Sequence, residues 1–167
     1  MISRIKQRGF SLLEMLIYIA ILALLLAIIM NIIVSVSNSM RVIKSLRSIE
    51  DSVVLSLERV GREVRQADSI DVSSVFGSHP GRLVIVGTDA DDSPRKVEFY
   101  LSNGRVFLKE NDVDTGALTQ TGSKVSSLIF YHFVGANSEG IRTEMTVESG
   151  TSTHYRSEKF YSTTILR

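Results

Sequence analysis

Cysteine and tryptophan are both absent from the 167 residues, and there are only two prolines. Without cysteine there is no thiol chemistry, no zinc–thiolate centre and no disulfide staple. The missing disulfides do not fix the compartment, because a secreted domain of this size can be held by its core alone. The three histidines, His79, His132 and His154, lie far apart without metal-ligand spacing and read as strand or loop residues. No Gly-rich phosphate loop and no convincing nucleophile–base pair occurs, so an enzyme has no constellation to work with. The formal net charge of +1 gives no mark of a nucleic-acid binder.

Charge is also missing locally. No Asp, Glu, Lys or Arg occurs from Met15 to Met40, a run of 26 residues. At the helical rise that run spans about 39 Å, enough to cross a hydrocarbon layer of about 30 Å. A carboxylate, Glu14, stands at its mouth. An ionised side chain in hydrocarbon costs ~2.5–3.5 kcal/mol on lenient insertion scales, so Glu14 needs a compensating partner. A secretory signal peptide does not explain the segment. The basic part is present in Arg4, Lys6 and Arg8, but the apolar run is too long and lacks a small-residue exit. The small residue, Gly9, precedes the run, and cleavage there leaves the whole apolar helix on the mature chain.

The stretch KQRGFSLLEMLIYIAILAL, from Lys6 to Leu24, closely resembles the class III signal of type IV pilins and pseudopilins. The resemblance implies cleavage by a prepilin peptidase between Gly9 and Phe10, N-methylation of Phe10, and an assembly role for Glu14. It also implies an inner-membrane assembly platform and other pilins or pseudopilins as partners. A free amine on Phe10 and the Glu14 carboxylate stand i and i+4 on one helix face, so they can pair within a chain or between axially offset chains. In a water-free bundle such a pair is strong, and removing either partner strands a charge. Glu14 then acts as a register device, unfavourable alone in lipid and neutralised on docking. The flanking charges do not orient the segment, since Arg4, Lys6 and Arg8 are balanced by Arg41, Lys44 and Arg47. The expected cytoplasmic N-terminus and extracytoplasmic head therefore rest on the resemblance.

Beyond Met40, Leu46, Ile49, Val53, Leu57, Val60, Val64 and Ala67 are spaced by three or four residues, one face of an α-helix. Glu50, Asp51, Glu58, Arg59, Arg62, Glu63 and Arg65 fill the other faces, with Glu58 and Arg62 as an i,i+4 pair. No proline interrupts from Phe10 to Asp68, so one helix of about 59 residues, roughly 88 Å long, is expected. Many major pilins carry a kinking proline where this run has Asn31, and a disulfide-closed loop that this chain lacks. LERVGREVRQADSI, from Leu57 to Ile70, looks like the helix end of J-type pseudopilins and similar minor pilins. Together these features point to a minor subunit.

After Ala67 the period changes to two. Strands are expected at 81–87, 95–101, 105–110, 127–133, 141–148 and 155–166, with a type I′ turn at Asn103-Gly104 and a polar loop from Asn111 to Gly122. Five or six antiparallel strands with one apolar face need a cover, and the helical stripe supplies it. The expected fold is therefore α+β, with a long N-terminal helix packed on a C-terminal antiparallel sheet. Its expected segments are a basic leader at 1–9, a transmembrane half-helix at 10–40, an amphipathic half at 41–68 and a β-rich head at 69–167. The head carries ten Lys and Arg against twelve Asp and Glu, which argues against a nucleic-acid receptor.

No cofactor is expected. The calcium alternative falls on Asp89, Asp91 and Asp92, or on Asp112 and Asp114, but neither loop completes a calcium motif with a distal Glu. Hairpin turns use the same residue types. The function expected is a structural minor pilin or pseudopilin of a type IV pilus or type II secretion pseudopilus. The alternative is a membrane-tethered extracytoplasmic binding module that does not polymerise, to which Glu14 brings nothing.

Overall fold

A computed structural model of the chain describes residues 11–89, 91–135, 138–150 and 155–166. The chain divides into two compact units, residues 1–40 and 41–167. Helix α1 spans Leu12–Gln66. Ser11 caps its start, its hydroxyl accepting the Leu13 N–H at 3.2 Å and its carbonyl the Met15 N–H at 3.2 Å. The helix was expected to reach Asp68, but it ends at Gln66. Ala67–Ile70 forms strand β1, because Asp68 finds a partner in the Thr88 hydroxyl at 2.8 Å while Ala67 turns into the core.

The remaining strands are β2 (Leu83–Thr88), β3 (Pro94–Ser102), β4 (Arg105–Glu110), β5 (Val113–Ala117), β6 (Ser123–Val134), β7 (Glu139–Ser149) and β8 (Arg156–Ile165). They form two antiparallel sheets where the sequence reading expected one. The first runs β1-β2-β3-β4-β5 and the second β6-β7-β8. Asn103 and Gly104 both take positive φ, as the expected turn between β3 and β4 requires. The polar loop, however, conceals a strand. Asn111 and Asp112 also take positive φ, at 49° and 63°, and fold β5 back onto β4 as an exposed edge. Asparagine and aspartate tolerate this left-handed backbone, so the two-residue turn was encoded without glycine.

In the second unit, one core joins the helix to both sheets. Ile49, Val53, Val60 and Val64 of α1 meet Leu83, Ile85, Val97 and Phe99 of the first sheet and Leu128, Phe130, Ile141 and Met145 of the second. Leu57, expected on the buried face of the stripe, is only half-buried. The fully buried face is shared with small polar residues, Ser45, Ser52 and Ser56. Ser52 reaches the Ser123 hydroxyl at 2.5 Å and accepts the Gln120 N–H at 3.1 Å. Those hydrogen bonds let short polar side chains replace larger apolar ones where helix and chain approach closely. Glu63 departs further from expectation. Assigned to the polar face by sequence, it is 3% exposed.

Arg95 of β3 grips Glu63 with both nitrogens, at 2.7 and 3.2 Å. Arg59 lies 2.9 Å from Glu63 and 2.6 Å from Glu110, and Glu110 closes the ring to Arg95 at 3.0 Å. The hydrogen bonds that Arg95 donates to Glu63 hold its guanidinium pKa above the ordinary value. Among the described residues, the i,i+4 ion pair of this helix is thus Arg59–Glu63. The expected Glu58–Arg62 pair does not form among the described residues.

Candidate functional site

Two of the three residues singled out at the N-terminus, Gly9 and Phe10, lie outside the described residues. Glu14 is described, in the first turn of α1. There the carboxylate faces the positive end of the helix dipole. The Ser11 cap and Glu14, three residues on, follow the S-x-x-E pattern of a capping box, a signal carried by the sequence itself. One turn further along the same face, the Tyr18 phenol donates to Glu14 Oε1 at 3.5 Å. That contact was not foreseen either, although the i,i+4 spacing announces it. No cation among the described residues lies within ion-pair distance of Glu14.

Every residue from Ser11 to Arg41 is exposed, and this includes all the large apolar ones. Leu16 is 66% exposed and Leu22 58%. Soluble monomers rarely show a contiguous apolar surface of that extent. α1 is the one helix, among the described residues, long and apolar enough to cross a membrane. The segment is thus a membrane anchor with a carboxylate near its start.

The acidic loops of the head are engaged in turns. Asp91 accepts the Ser93 hydroxyl at 2.6 Å and its N–H at 3.2 Å, which holds the Asp91 carboxyl below its ordinary range. Asp89 and Asp92 are joined through the backbone, the Asp92 N–H donating to the Asp89 carbonyl at 3.0 Å. Asp112 sits at positive φ in the β4–β5 turn. Asp114 takes the Tyr100 phenol at 2.6 Å, and this hydrogen bond pushes the phenol up to about 12. Among the described residues, no three His, Asp or Glu side chains are grouped where they could hold a metal ion.

Two histidines are likewise occupied: His79 Nδ1 accepts the Leu128 N–H at 3.1 Å, and His132 Nε2 lies 2.6 Å from Glu139. His154 lies outside the described residues.

Residues 4–30 match the family model of the prokaryotic N-terminal methylation motif. That is the class III prepilin signal, the signature of type IV pilins and pseudopilins. The matched span contains Gly9, Phe10, Glu14 and Tyr18. No curated protein and no solved structure matches the chain. The signal and the apolar helix together make this a pilin-like, membrane-anchored protein of α+β fold.

Proposed function

Starting from a chain that carries the type IV pilin and pseudopilin signature, we propose that it is a minor pilin or pseudopilin. A prepilin peptidase cuts between Gly9 and Phe10 and methylates the new Phe10 amine. The anchor then holds the chain in the inner membrane as a single pass, N-terminus cytoplasmic and head extracytoplasmic. From there an assembly platform moves it into a filament with other pilins or pseudopilins. The role is structural. It needs no catalysis, no cofactor and no nucleic acid.

One observation carries this reading. Glu14 stands at the start of a membrane helix with only a phenol beside it and no described cation in reach. A simple tether gains nothing from such a charge, which costs ~2.5–3.5 kcal/mol in hydrocarbon. A docking subunit recovers that cost when the carboxylate meets an amine in a dry interface. Glu14→Leu should therefore leave insertion and leader cleavage intact while incorporation into filaments fails. Intact mass of the membrane-extracted protein reports the cut, and sheared filaments or co-purified prepilins report incorporation. A wild-type mass that retains Met1, or a cut elsewhere, refutes the processing. Equal incorporation of Glu14→Leu and wild type refutes the docking role and favours the tethered binding module.

A further inference from the structure

The β6–β8 sheet turns one face to the core and the other outward, and the outward face is not uniformly polar. Strand register aligns Tyr131, Arg142 and Thr163 in one rank across the sheet, and Ile129, Glu144 and Tyr161 in the next. Phe133 extends the aromatic row by lying across Gly140, the one residue at that point that leaves room for its ring. Tyr131 and Phe133 are each 38% exposed and Tyr161 is 53% exposed. The Arg142 guanidinium lies 5.0 Å from the Tyr161 ring centre and 5.9 Å from that of Tyr131. Lys159 sits 5.4 Å from the same Tyr161 ring and pairs with Glu144. Tyr131, Phe133, Arg142 and Glu144 line a cavity of about 470 Å³, within the usual range for small-ligand sites.

The chemistry of the lining selects among occupants. An apolar protein surface would strip water from the half-exposed Arg142 and Lys159 without offering the Arg142 donors a partner. A polyanion would meet the Glu144 carboxylate on a head that already has more acids than bases. A second copy docked face to face would set Arg142 and Lys159 against their own duplicates. A neutral polyhydroxylated chain meets none of these obstacles. Its C–H faces lie on the rings, and its hydroxyls donate to Glu144 and accept from Arg142. Arg142 is 4.0 Å from Glu144, beyond hydrogen-bond range, so its fork keeps donors to offer. Cation–π contacts hold the rings in place before any ligand arrives.

We propose that this outward face of β6–β8 binds a neutral carbohydrate, with Tyr131, Phe133 and Tyr161 as the stacking platform and Arg142 and Glu144 as the hydroxyl partners. The site stands whether or not the chain polymerises. The test uses the full chain in a phosphocholine detergent, since a sugar-headed detergent would compete. Cellohexaose and chitohexaose are titrated by calorimetry and by tyrosine emission, which no tryptophan masks.

One of the two glycans should bind saturably. Tyr161→Ala and Arg142→Gln should each lose about tenfold or more in affinity, the scale of one lost hot-spot contact. Tyr100→Phe, on the other sheet, should bind like the parent, and melting curves establish that each variant is folded. Absence of saturable binding to both glycans overturns the proposal, as does unchanged affinity in Arg142→Gln. Tighter binding of an oligothymidylate, or self-association abolished by Tyr161→Ala, overturns it in favour of a nucleic acid or a second copy.

Discussion

Helix α1 carries a carboxylate in its first turn and another near its end, and the two are satisfied in different ways. Glu63 sits where the helix dipole disfavours a negative charge, and it is buried. Arg95 and Arg59 compensate it, and Glu110 keeps those arginines from an excess of their own charge. Glu14 sits where the dipole favours it, yet among the described residues it has a single long contact to a phenol and exposed apolar neighbours. Around Glu63 the chain is electrostatically closed. Around Glu14 it is open among the described residues, as the proposed docking role requires. A charge satisfied internally serves the fold, whereas the proposed docking role calls for one left open.

The largest expected effect tests that division. Glu63→Ala leaves Arg95 and Arg59 with Glu110 as their one shared acceptor, two cations on a single carboxylate, and stability should fall by about 3 kcal/mol. The lower end of the buried-pair range applies because both arginines keep part of their hydration. Glu14→Ala should leave the same melt unchanged. Urea or thermal unfolding of the full chain in detergent, followed by circular dichroism, measures both. A Glu63→Ala melt that overlays the parent would show that the ring of charges does not hold helix to sheet.

A smaller effect sharpens the helix–sheet boundary. Leu57→Ala should cost about 1–2 kcal/mol, below the full large-to-small range, because the side chain already keeps part of its surface outside the core. Ile49→Ala, at a site only 1% exposed, should cost more. If Leu57→Ala is the costlier of the two, Leu57 is as fully part of the wall as periodicity alone put it.

These two tests separate what was legible from what was not. The period-3.6 stripe identified Ile49, Val53, Val60 and Val64 because burial of large apolar side chains leaves a spacing. It could not identify Ser52 or Glu63, since a buried polar residue is licensed by partners far along the chain, Ser123 for one and Arg95 for the other. The Asn103-Gly104 hairpin was legible from two residues, while β5 was missed because its Asn-Asp turn resembles an irregular loop. The split into two sheets was not legible either, since strand pairing is a matter of non-local register. At the N-terminus the signal was almost wholly local, and Glu14 stood out by charge alone. Tyr18 did not, because a tyrosine in an apolar run reads as one more aromatic.

Tyr18 supplies the smallest and most discriminating test. Its phenol is 3.5 Å from Glu14 Oε1, well beyond the usual separation for an O–H···O bond, so its net worth should be under about 1 kcal/mol. A contact that loose can accompany Glu14 through the membrane and still be released to a better partner. Tyr18→Phe removes the hydroxyl and keeps the ring, so insertion and leader cleavage should be unchanged. Filament incorporation should fall by a few-fold at most. In a Glu14→Leu background the part of this effect that runs through the carboxylate should vanish. Incorporation scored in all four backgrounds closes the cycle. If Tyr18→Phe alone abolishes incorporation as fully as Glu14→Leu, the phenol is the principal partner of Glu14. The helix around Glu14 would then be as internally closed as it is around Glu63, and the contrast between the two ends of α1 would be lost.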